Sequence, residues 1–344
     1  MLTSCLLALT SLVIRVQQKP AQTTPWFDVQ EGTVSARYRY AKDSADAVTN
    51  QMQDRIAFRG RLTPPSAKWF ALNIGAFSGT SFTGGWNNTG IGTGDHVNRF
   101  SVKQLYADLR PVKGLEAQVG SLSTARGQST EITHYDNDAY LTGERVTIRP
   151  PARFLVDSFT FTNAYVGDLS TPNVFERLDR LADSNYLQVM AEKALPHQVA
   201  VSAEWSRPPE GQMLRGAGRF QLPGDLSAVK VRVEAYWRFR DDVGGFAVTA
   251  ERAFGPRVQL SGGFAHIDEH YPAENGDRYG NGRRFFALGT VGITKNLSAS
   301  SFFTQAVDTP FTIPVERRFE VLVTYNVVGA VLDAVHRNAT SVPR

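Results

Sequence analysis

The sequence predicts an all-β fold, an antiparallel transmembrane β-barrel of about 16 strands with short periplasmic turns and long extracellular loops. Two observations predict it: segments in which apolar and polar residues alternate, and joints between them that are alternately short and long. The short joints lie at residues 63–66, 110–114, 149–151, 195–196, 223–225, 255–256 and 295–296, and the long joints at residues 41–53, 79–98, 123–142, 166–183, 267–282 and 307–315. A barrel threaded through a bilayer keeps its tight turns at one end and its long loops at the other, whereas a sandwich has no reason to do so.

Alternation with a period of two marks strands whose two faces meet different surroundings. Residues 229–238 and 318–326 alternate apolar side chains with charged or polar ones, and residues 199–206 follow the same pattern. Similar patterns run through residues 34–40, 56–62, 105–110, 115–119, 187–192, 246–251 and 258–264. Six less decisive segments bring the count to about 16, an even number typical of bacterial barrels; they lie around Phe70, Val146, Phe159, Leu214, Phe285 and Leu297. An even count places both chain ends in the periplasm, so the first joint, residues 41–53, is expected to be a long outer loop.

The bulk composition permits a barrel and narrows the other classes. The 344 residues are 42% hydrophobic, and no interior run reaches the roughly 18 apolar residues that a membrane helix needs. The net charge is +4, but Lys and Arg are scattered along the chain, so nucleic acid is not an expected partner. Cys5 is the single cysteine, and cleavage of a signal peptide would leave none, which excludes disulfide scaffolds, zinc-thiolate sites and cysteine nucleophiles.

The chain divides into three predicted regions. Residues 1–25 are predicted to be a signal peptide, because residues 6–14 form an apolar core and Ala21 lies near a suitable cleavage position. No Lys or Arg precedes that core, so we expect the true start codon to lie upstream of Met1; an unprocessed N-terminal helix is the alternative. Residues 26–328 are predicted to form the barrel and residues 329–344 a short C-terminal tail.

The polar faces of the predicted strands carry the functional prediction. If the apolar stripes face lipid, the other stripe faces a lumen, which must hold water because an unpaired ion is costly in a dry core. The predicted pore-lining residues are Arg37, Arg39, Arg55, Arg59, Arg61, Arg110, Arg215, Arg219, Lys230, Arg232, Arg238 and Arg318, with the acidic residues Asp108, Glu116, Glu204, Glu234 and Glu320. The basic excess is expected to favour anionic solutes. Ion-paired ladders that brace the wall are the alternative role for many of these charges.

The third long joint is a candidate constriction loop. It carries Glu131, Asp136 and Asp138, which could pair with wall arginines if the loop folds inward and narrows the pore. A surface loop with the same residues is the alternative. In the fourth joint, residues 172–181 predict a short amphipathic helix, capped by Ser170 or Thr171 and packed against the barrel mouth.

Signals for catalysis are weak. His266 and His270 have a spacing that could bind metal on a helix, but they lie at a strand end and in a polar loop, where that spacing does not bring two imidazoles together. We therefore predict no catalytic residues, no metal and no cofactor.

Residues 32–327 resemble bacterial outer-membrane porin-like barrels. Residues 35–40, with the sequence SARYRY, and residues 56–62, with the sequence IAFRGRL, are similar to the opening strands of alginate-export-type porins. The resemblance implies a basic lumen that passes anionic material. Barrels of this type usually end on an aromatic residue, whereas here about 17 residues follow the last strand, roughly an average helix plus a frayed end.

The expected function is an outer-membrane channel for small hydrophilic, preferably anionic, solutes. The expected partners are outer-membrane lipid and those solutes, and a homotrimer is a further expectation because barrels of this strand number commonly associate in threes. Two alternatives remain open: a barrel hydrolase with its site at the loop rim, and a surface-exposed β-rich binding protein.

Overall fold

The computed structural model describes residues 26–82, 84–135, 140–151, 154–167, 170–268, 278–307 and 315–331. The predicted signal peptide therefore lies outside the described residues, as does most of the predicted tail, of which residues 329–331 are helical. The strands are β1 (Phe27–Lys42), β2 (Val48–Leu62), β3 (Phe70–Ser78), β4 (Asn87–Gly92), β5 (Phe100–Leu109), β6 (Leu115–Ser123), β7 (Tyr140–Ile148), β8 (Ser158–Tyr165), β9 (Tyr186–Leu195), β10 (Val199–Arg207), β11 (Met213–Gln221), β12 (Val229–Arg238), β13 (Val243–Phe254), β14 (Val258–Ile267), β15 (Gly282–Gly292), β16 (Leu297–Ala306) and β17 (Arg317–Asn326). Within the described residues, no helical segment is long and apolar enough to cross a bilayer.

The sheet closes on itself because the first and last strands pair. The antiparallel ladder between β1 and β17 runs from Thr33 opposite Asn326 to Lys42 opposite Arg317. Of the 17 strands, β4 adds no separate wall strand: it pairs with the loop-side half of β2, while β3 pairs with the other half of β2 and with β5. Taking β4 from the 17 strands leaves 16 wall strands, which confirms the predicted closed antiparallel barrel.

The two ends of the barrel differ in their joints. One end, here the short-turn end, carries residues 63–69, 110–114, 149–157, 196–198, 222–228, 255–257 and 293–296. The other, the long-loop end, carries residues 43–47, 79–99, 124–139, 166–185, 208–212, 239–242, 268–281 and 307–316. The predicted grouping of long joints at one end therefore appears in the fold, although three joints at that end are also short.

The prediction of a long first loop over residues 41–53 was wrong. β1 and β2 stay paired as far as Lys42 opposite Val48, which leaves only residues 43–47 as a turn. The Asp43 Oδ1 atom accepts the backbone N–H groups of Ala45 and Ala47, each at 2.9 Å, and so satisfies the turn from within. The polar residues of this region belong to strands that extend past the apolar band.

The glycine-rich joint after β3, predicted from sequence as a long joint over residues 79–98, contains a short strand. Residues 87–92 form β4, which pairs with β2 at Gln53 opposite Asn88 and Gln51 opposite Gly92. Gly92 has a φ of 87°, and a Cβ there would lie 2.0 Å from the carbonyl oxygen of Asn50. Only glycine permits this close approach of the two strands.

The helix predicted over residues 172–181 was also wrong. This segment forms two 3-10 turns, Val174–Glu176 and Leu178–Arg180, and the cap is Asn173, whose side chain accepts the N–H of Phe175. Phe175 is 59% exposed and Val174 is fully buried, so the apolar stripe expected of a helix does not exist.

The two faces of the wall are inverted relative to a soluble protein. On β17, Phe319, Val321 and Val323 are exposed, whereas Arg318 and Glu320 are buried; Val321 is 38% exposed and Glu320 only 3%. Because residues alternate between faces of a strand, the apolar set faces outward and the charged set faces the interior of the closed sheet. This is the arrangement expected of a barrel surrounded by lipid.

Candidate functional site: the interior of the barrel

The strand register identifies which side chains share the inner face. Residues directly opposite each other in a ladder lie on the same face. Followed from strand to strand, the ladders place the following sequence-predicted residues on one face, the inner one: Arg37, Arg39, Arg55, Arg59, Arg61, Asp108, Glu116, Glu204, Arg215, Arg219, Lys230, Arg232, Glu234, Arg238, Arg318 and Glu320. Arg110 follows the end of β5, where its N–H donates to the carbonyl of Trp69 at 2.6 Å. It therefore lies in a turn at the short-turn end, with its guanidinium 3.0 Å from Asp108.

Many of these charges are paired along the wall. Glu320 lies 3.2 Å from the Arg37 guanidinium and 2.7 Å from that of Arg318. Arg37 also donates to Gln53 through Nε at 3.0 Å and Nη2 at 2.6 Å. On the same side, Arg59 lies 3.0 Å from Glu31. The bracing role that the sequence left open therefore applies to this part of the wall.

A segment of the joint after β3 lies on the inner surface of β1 and β2. The indole of Trp86 stacks on the Arg37 guanidinium at 4.0 Å, a cation–π contact. Phe82 is fully buried against Ala57 and Phe77, and Lys103 donates to the carbonyl of Gly84. These contacts hold residues 81, 82 and 84–86 as a lining on the basic side of the interior.

The described part of the third loop, residues 124–135, also lies inside the barrel. Gln188 on β9 donates to the carbonyl of Ala125 at 2.7 Å, and the N–H of Gln128 donates to the hydroxyl of Ser202 on β10 at 2.9 Å. The loop therefore runs from β6 along the inner wall toward strands that are remote from it in the sheet order. Its described part ends at residue 135.

Glu234 on β12 is the strongest attachment of that loop. Its carboxylate accepts the Thr130 N–H at 2.7 Å, the Thr130 hydroxyl at 2.5 Å and the Thr133 hydroxyl at 2.6 Å. The residue is 1% exposed, so water does not compete for these bonds. Hydrogen bonds to an ionised group in such surroundings are stronger than neutral ones.

A second attachment surrounds His134. Its Nε2 lies 3.0 Å from the Glu204 carboxylate, and its Nδ1 accepts the N–H of Tyr135 at 2.8 Å, so the ring is the neutral tautomer with its proton on Nε2. Arg215 donates to the carbonyl of Thr133 at 2.9 Å and to Glu204 at 2.5 Å. Burial lowers the pKa of His134 to about 4, despite the nearby carboxylate.

An apolar anchor completes the loop's position. Ile132 is 2% exposed and packs in one cluster with Met213, Tyr236, Phe286 and Phe302, whose inward side chains come from β11, β12, β15 and β16. The loop thus crosses the interior between polar attachments on β9 to β12 and an apolar seat that continues to β16.

The loop residues singled out from sequence are only partly placed. Glu131 is 9% exposed and lies 3.4 Å from Arg278, which belongs to the joint after β14 and not to the wall. Asp136 and Asp138 lie outside the described residues. The expectation was that loop carboxylates would pair with wall arginines. In the described part of the loop, the wall carboxylates Glu234 and Glu204 instead accept hydrogen bonds from loop residues.

Sequence reasoning missed several interior groups. Arg284 is fully buried and donates to Thr304 at 3.2 Å and to the carbonyl of Val315 at 2.5 Å. Its neighbour Arg283 obscured the alternation, since two adjacent arginines cannot both lie on one face. Lys103 was missed because β5 contains an irregularity in its pairing with β3 between Gly75 and Ala76, which breaks the period of two.

The structure describes only one member of the histidine pair considered from sequence. His266 lies opposite Phe246 on the outer face, with ring centroids 6.1 Å apart, and His270 lies outside the described residues. Among the residues that the structure describes, no three His, Cys, Asp or Glu side chains come together in a group able to hold a metal ion.

Comparisons with known proteins identify the fold. The structure resembles OmpF of Salmonella typhi, solved in complex with daunomycin, with a TM-score of 0.56 and 12% identity over 87% of this chain and 97% of that one. It also resembles a triple mutant of the Rhodopseudomonas blastica porin, with a TM-score of 0.54 and 10% identity over 87% of this chain and 99% of that one. No protein-family model matches the sequence, and no curated protein matches it. The comparisons support a porin fold and give no support to a specific likeness to alginate-export-type porins.

Proposed function

We propose that the chain is an outer-membrane channel through which small hydrophilic solutes diffuse, with a preference for anions. The observation that carries the proposal is the inversion of the wall: Val321 and its neighbours face outward, while Glu320 and Arg318 face an interior lined by polar side chains. In this proposal the short-turn end faces the periplasm and the long-loop end faces the outside.

The anion preference is supported by the charge of the inner face. The basic residues on the inner face are Arg37, Arg39, Arg55, Arg59, Arg61, Arg145, Arg215, Arg219, Lys230, Arg232, Arg238, Arg284 and Arg318; the acidic ones are Asp28, Glu31, Asp108, Glu116, Glu192, Glu204, Glu234, Glu251 and Glu320. Basic side chains outnumber acidic ones, and a cavity with low-dielectric walls focuses their field. Anions are therefore concentrated and cations depleted in the pore.

The third loop sets the width of the pore in this proposal. Its attachments to Glu234 and Glu204 hold it against the wall of β9 to β12, opposite the lining formed by residues 81, 82 and 84–86 on β1 and β2. Solutes would pass between the two linings. A homotrimer, by analogy with other barrels of this strand number, is part of the proposal and is tested by the mass of the detergent-solubilised protein in light scattering.

The test is conductance in a planar lipid bilayer. Purified protein is expected to form discrete channels, and the reversal potential in a potassium chloride gradient is expected to show chloride more permeant than potassium. Failure of folded, heat-modifiable protein to conduct contradicts the channel. Conductance with potassium more permeant contradicts only the anion preference.

A further inference from the structure

Three basic residues form a separate group on the inner wall near the short-turn end, here called the β11–β12 basic patch. Arg219 on β11 lies directly opposite Arg232 on β12, and Lys230 lies two residues from Arg232 on the same face, opposite Gln221. The turn that joins the two strands, residues 222–228, belongs to the short-turn end. The patch therefore borders the mouth of the channel on that side.

On the opposite side of the barrel at the same end, the basic residues around Asp108 and Glu116 are ion-paired, and those of the patch are not. Across the barrel, Arg61 and Arg110 each lie 3.0 Å from Asp108, and Arg149 lies 3.0 Å from Glu116. The side chains of Arg219, Lys230 and Arg232 form no ion pair or hydrogen bond with any described residue. Two like charges directly opposite each other on neighbouring strands repel and are stabilised by a counterion.

Two buried donors beside the patch lack an acceptor. The Nε of Arg232 and the hydroxyl of Thr249 are both shielded from solvent without a hydrogen-bond partner among the described residues. Thr249 on β13 lies directly opposite Arg232 and so shares its face. The guanidinium of Arg232 and the hydroxyl of Thr249 therefore both keep hydrogen-bonding capacity at one place on the inner face.

The surrounding charges leave the patch positive. Glu251 on β13 lies opposite Lys230, but the two side chains do not come within ion-pair distance. Glu234 lies two residues from Arg232 on the same face, but its carboxylate accepts hydrogen bonds from Thr130 and Thr133. The two carboxylates offset two of the three positive charges, and among the described residues neither forms an ion pair with Arg219 or Arg232. The small side chains of Ala217 and Ala200, which lie on the same face, leave room beside Arg219.

We propose that Arg219, Arg232 and Thr249 form a binding site for an oxyanion, a phosphate or carboxylate group, on the channel wall near the short-turn mouth. A planar guanidinium presents paired N–H donors that match the oxygens of either group, and the Thr249 hydroxyl adds an O–H donor. Lys230 adds charge without fixing orientation. This inference rests on the proposed channel for its biological role, and it names the solute class as small molecules that carry such groups.

Binding is measured first without conduction, using inorganic phosphate as the probe. Broadening of the phosphorus-31 signal by full-length, detergent-solubilised protein is expected to saturate with phosphate for the wild type. Arg232→Gln is expected to weaken this binding at least tenfold, and Thr249→Val several-fold, although the latter retains every charge. Arg252→Gln is the matched control, because Arg252 lies on β13 opposite Val229, at the same level but on the outer face.

Bilayer recordings then separate this inference from the channel proposal. In the wild type, added phosphate is expected to reduce chloride current with saturation, and the reduction is expected to shrink in Thr249→Val while the reversal potential stays unchanged. Phosphate binding that does not saturate, or that is equal in wild type, Arg232→Gln and Thr249→Val, overturns the oxyanion site even if the channel conducts. Saturable binding lost in both variants supports the site even if no conductance is found, a result that would overturn the channel alone. Heat-modifiable migration in gels verifies that each variant is folded.

Discussion

Removing the Glu234 carboxylate is expected to release the third loop from the wall. Glu234 accepts three hydrogen bonds from that loop, at 2.7, 2.5 and 2.6 Å. Bonds to an ionised group contribute about 1.5–3 kcal/mol each, so their sum is roughly 5–9 kcal/mol before coupling between neighbours is considered. Allowing for that coupling, we expect Glu234→Ala to weaken the attachment by about 3–5 kcal/mol. Glu234→Gln keeps a carbonyl acceptor, and we expect it to cost about 1–2 kcal/mol.

The assay is single-channel recording at fixed voltage. A loosened loop samples more positions in the pore, so open-channel current noise and brief closures are expected to increase in the order wild type, Glu234→Gln, Glu234→Ala. The control is Glu144→Ala, which removes an exposed carboxylate of β7 that bonds only to Asn163 at 3.3 Å. Heat-modifiable migration establishes that the barrels are closed. If folded Glu234→Ala has the noise and conductance of the wild type, Glu234 does not hold the loop and the reasoning is refuted.

Three further predictions concern pH, the outer face and β4. The pKa of His134 is lowered from 6.5 to about 4, so the folded protein binds fewer protons than the unfolded chain between these values, and its stability falls as the pH drops through that range. Current noise is therefore expected to rise reversibly on acidification from pH 6.5 to about 4, and His134→Gln, which cannot titrate, is expected to lack this dependence; identical profiles contradict the assignment. On the outer face, Val321→Arg is expected to cost about 2–4 kcal/mol in urea titrations of protein folded into vesicles. The adjacent inward variant Leu322→Arg should cost less, and equal losses would contradict the assignment of faces. At β4, Gly92→Ala is expected to speed hydrogen exchange of the Thr93 amide, which donates to Asn50 at 2.5 Å; Gly255→Ala, with a φ of 67° and open space around its Cβ, is the control, and unchanged exchange in Gly92→Ala would show that β4 tolerates a side chain there.

The strands of the barrel wall could be predicted because the residue pattern that specifies each strand lies within that strand. In β12 and β17 apolar residues alternate with mostly polar ones, with Tyr236 and Leu322 as apolar members of the inner face, and each strand alone shows which face meets lipid. Where local information is ambiguous the prediction failed: Lys42 and residues 48–52 belong to strands, although their polar composition resembles a loop. Likewise Pro172, which begins many helices, here precedes only two short 3-10 turns.

The interior attachments could not be predicted because they join distant residues. Thr130 and Glu234 are 104 positions apart, and His134 and Glu204 are 70 apart. No periodicity in either segment specifies its partner. Sequence placed Glu204 and Glu234 on the correct face but could not show that they hold donors of a loop, and charge alone suggested the reverse pairing.

The pairing of β1 with β17, in which Val34 lies opposite Tyr325, is the last step in closing the barrel. Every other neighbour in the wall is formed by strands that follow closely in sequence, but this seam joins the two extremities of the described chain. Until β17 pairs with it, one edge of β1 has unpaired backbone N–H and C=O groups. Such groups are costly in lipid, and in water they can pair with the strands of other chains. A chain cut before Arg317 would retain nearly all of its strands and still be an open, adhesive ribbon, so closure depends on synthesis reaching the last ten residues of the sheet.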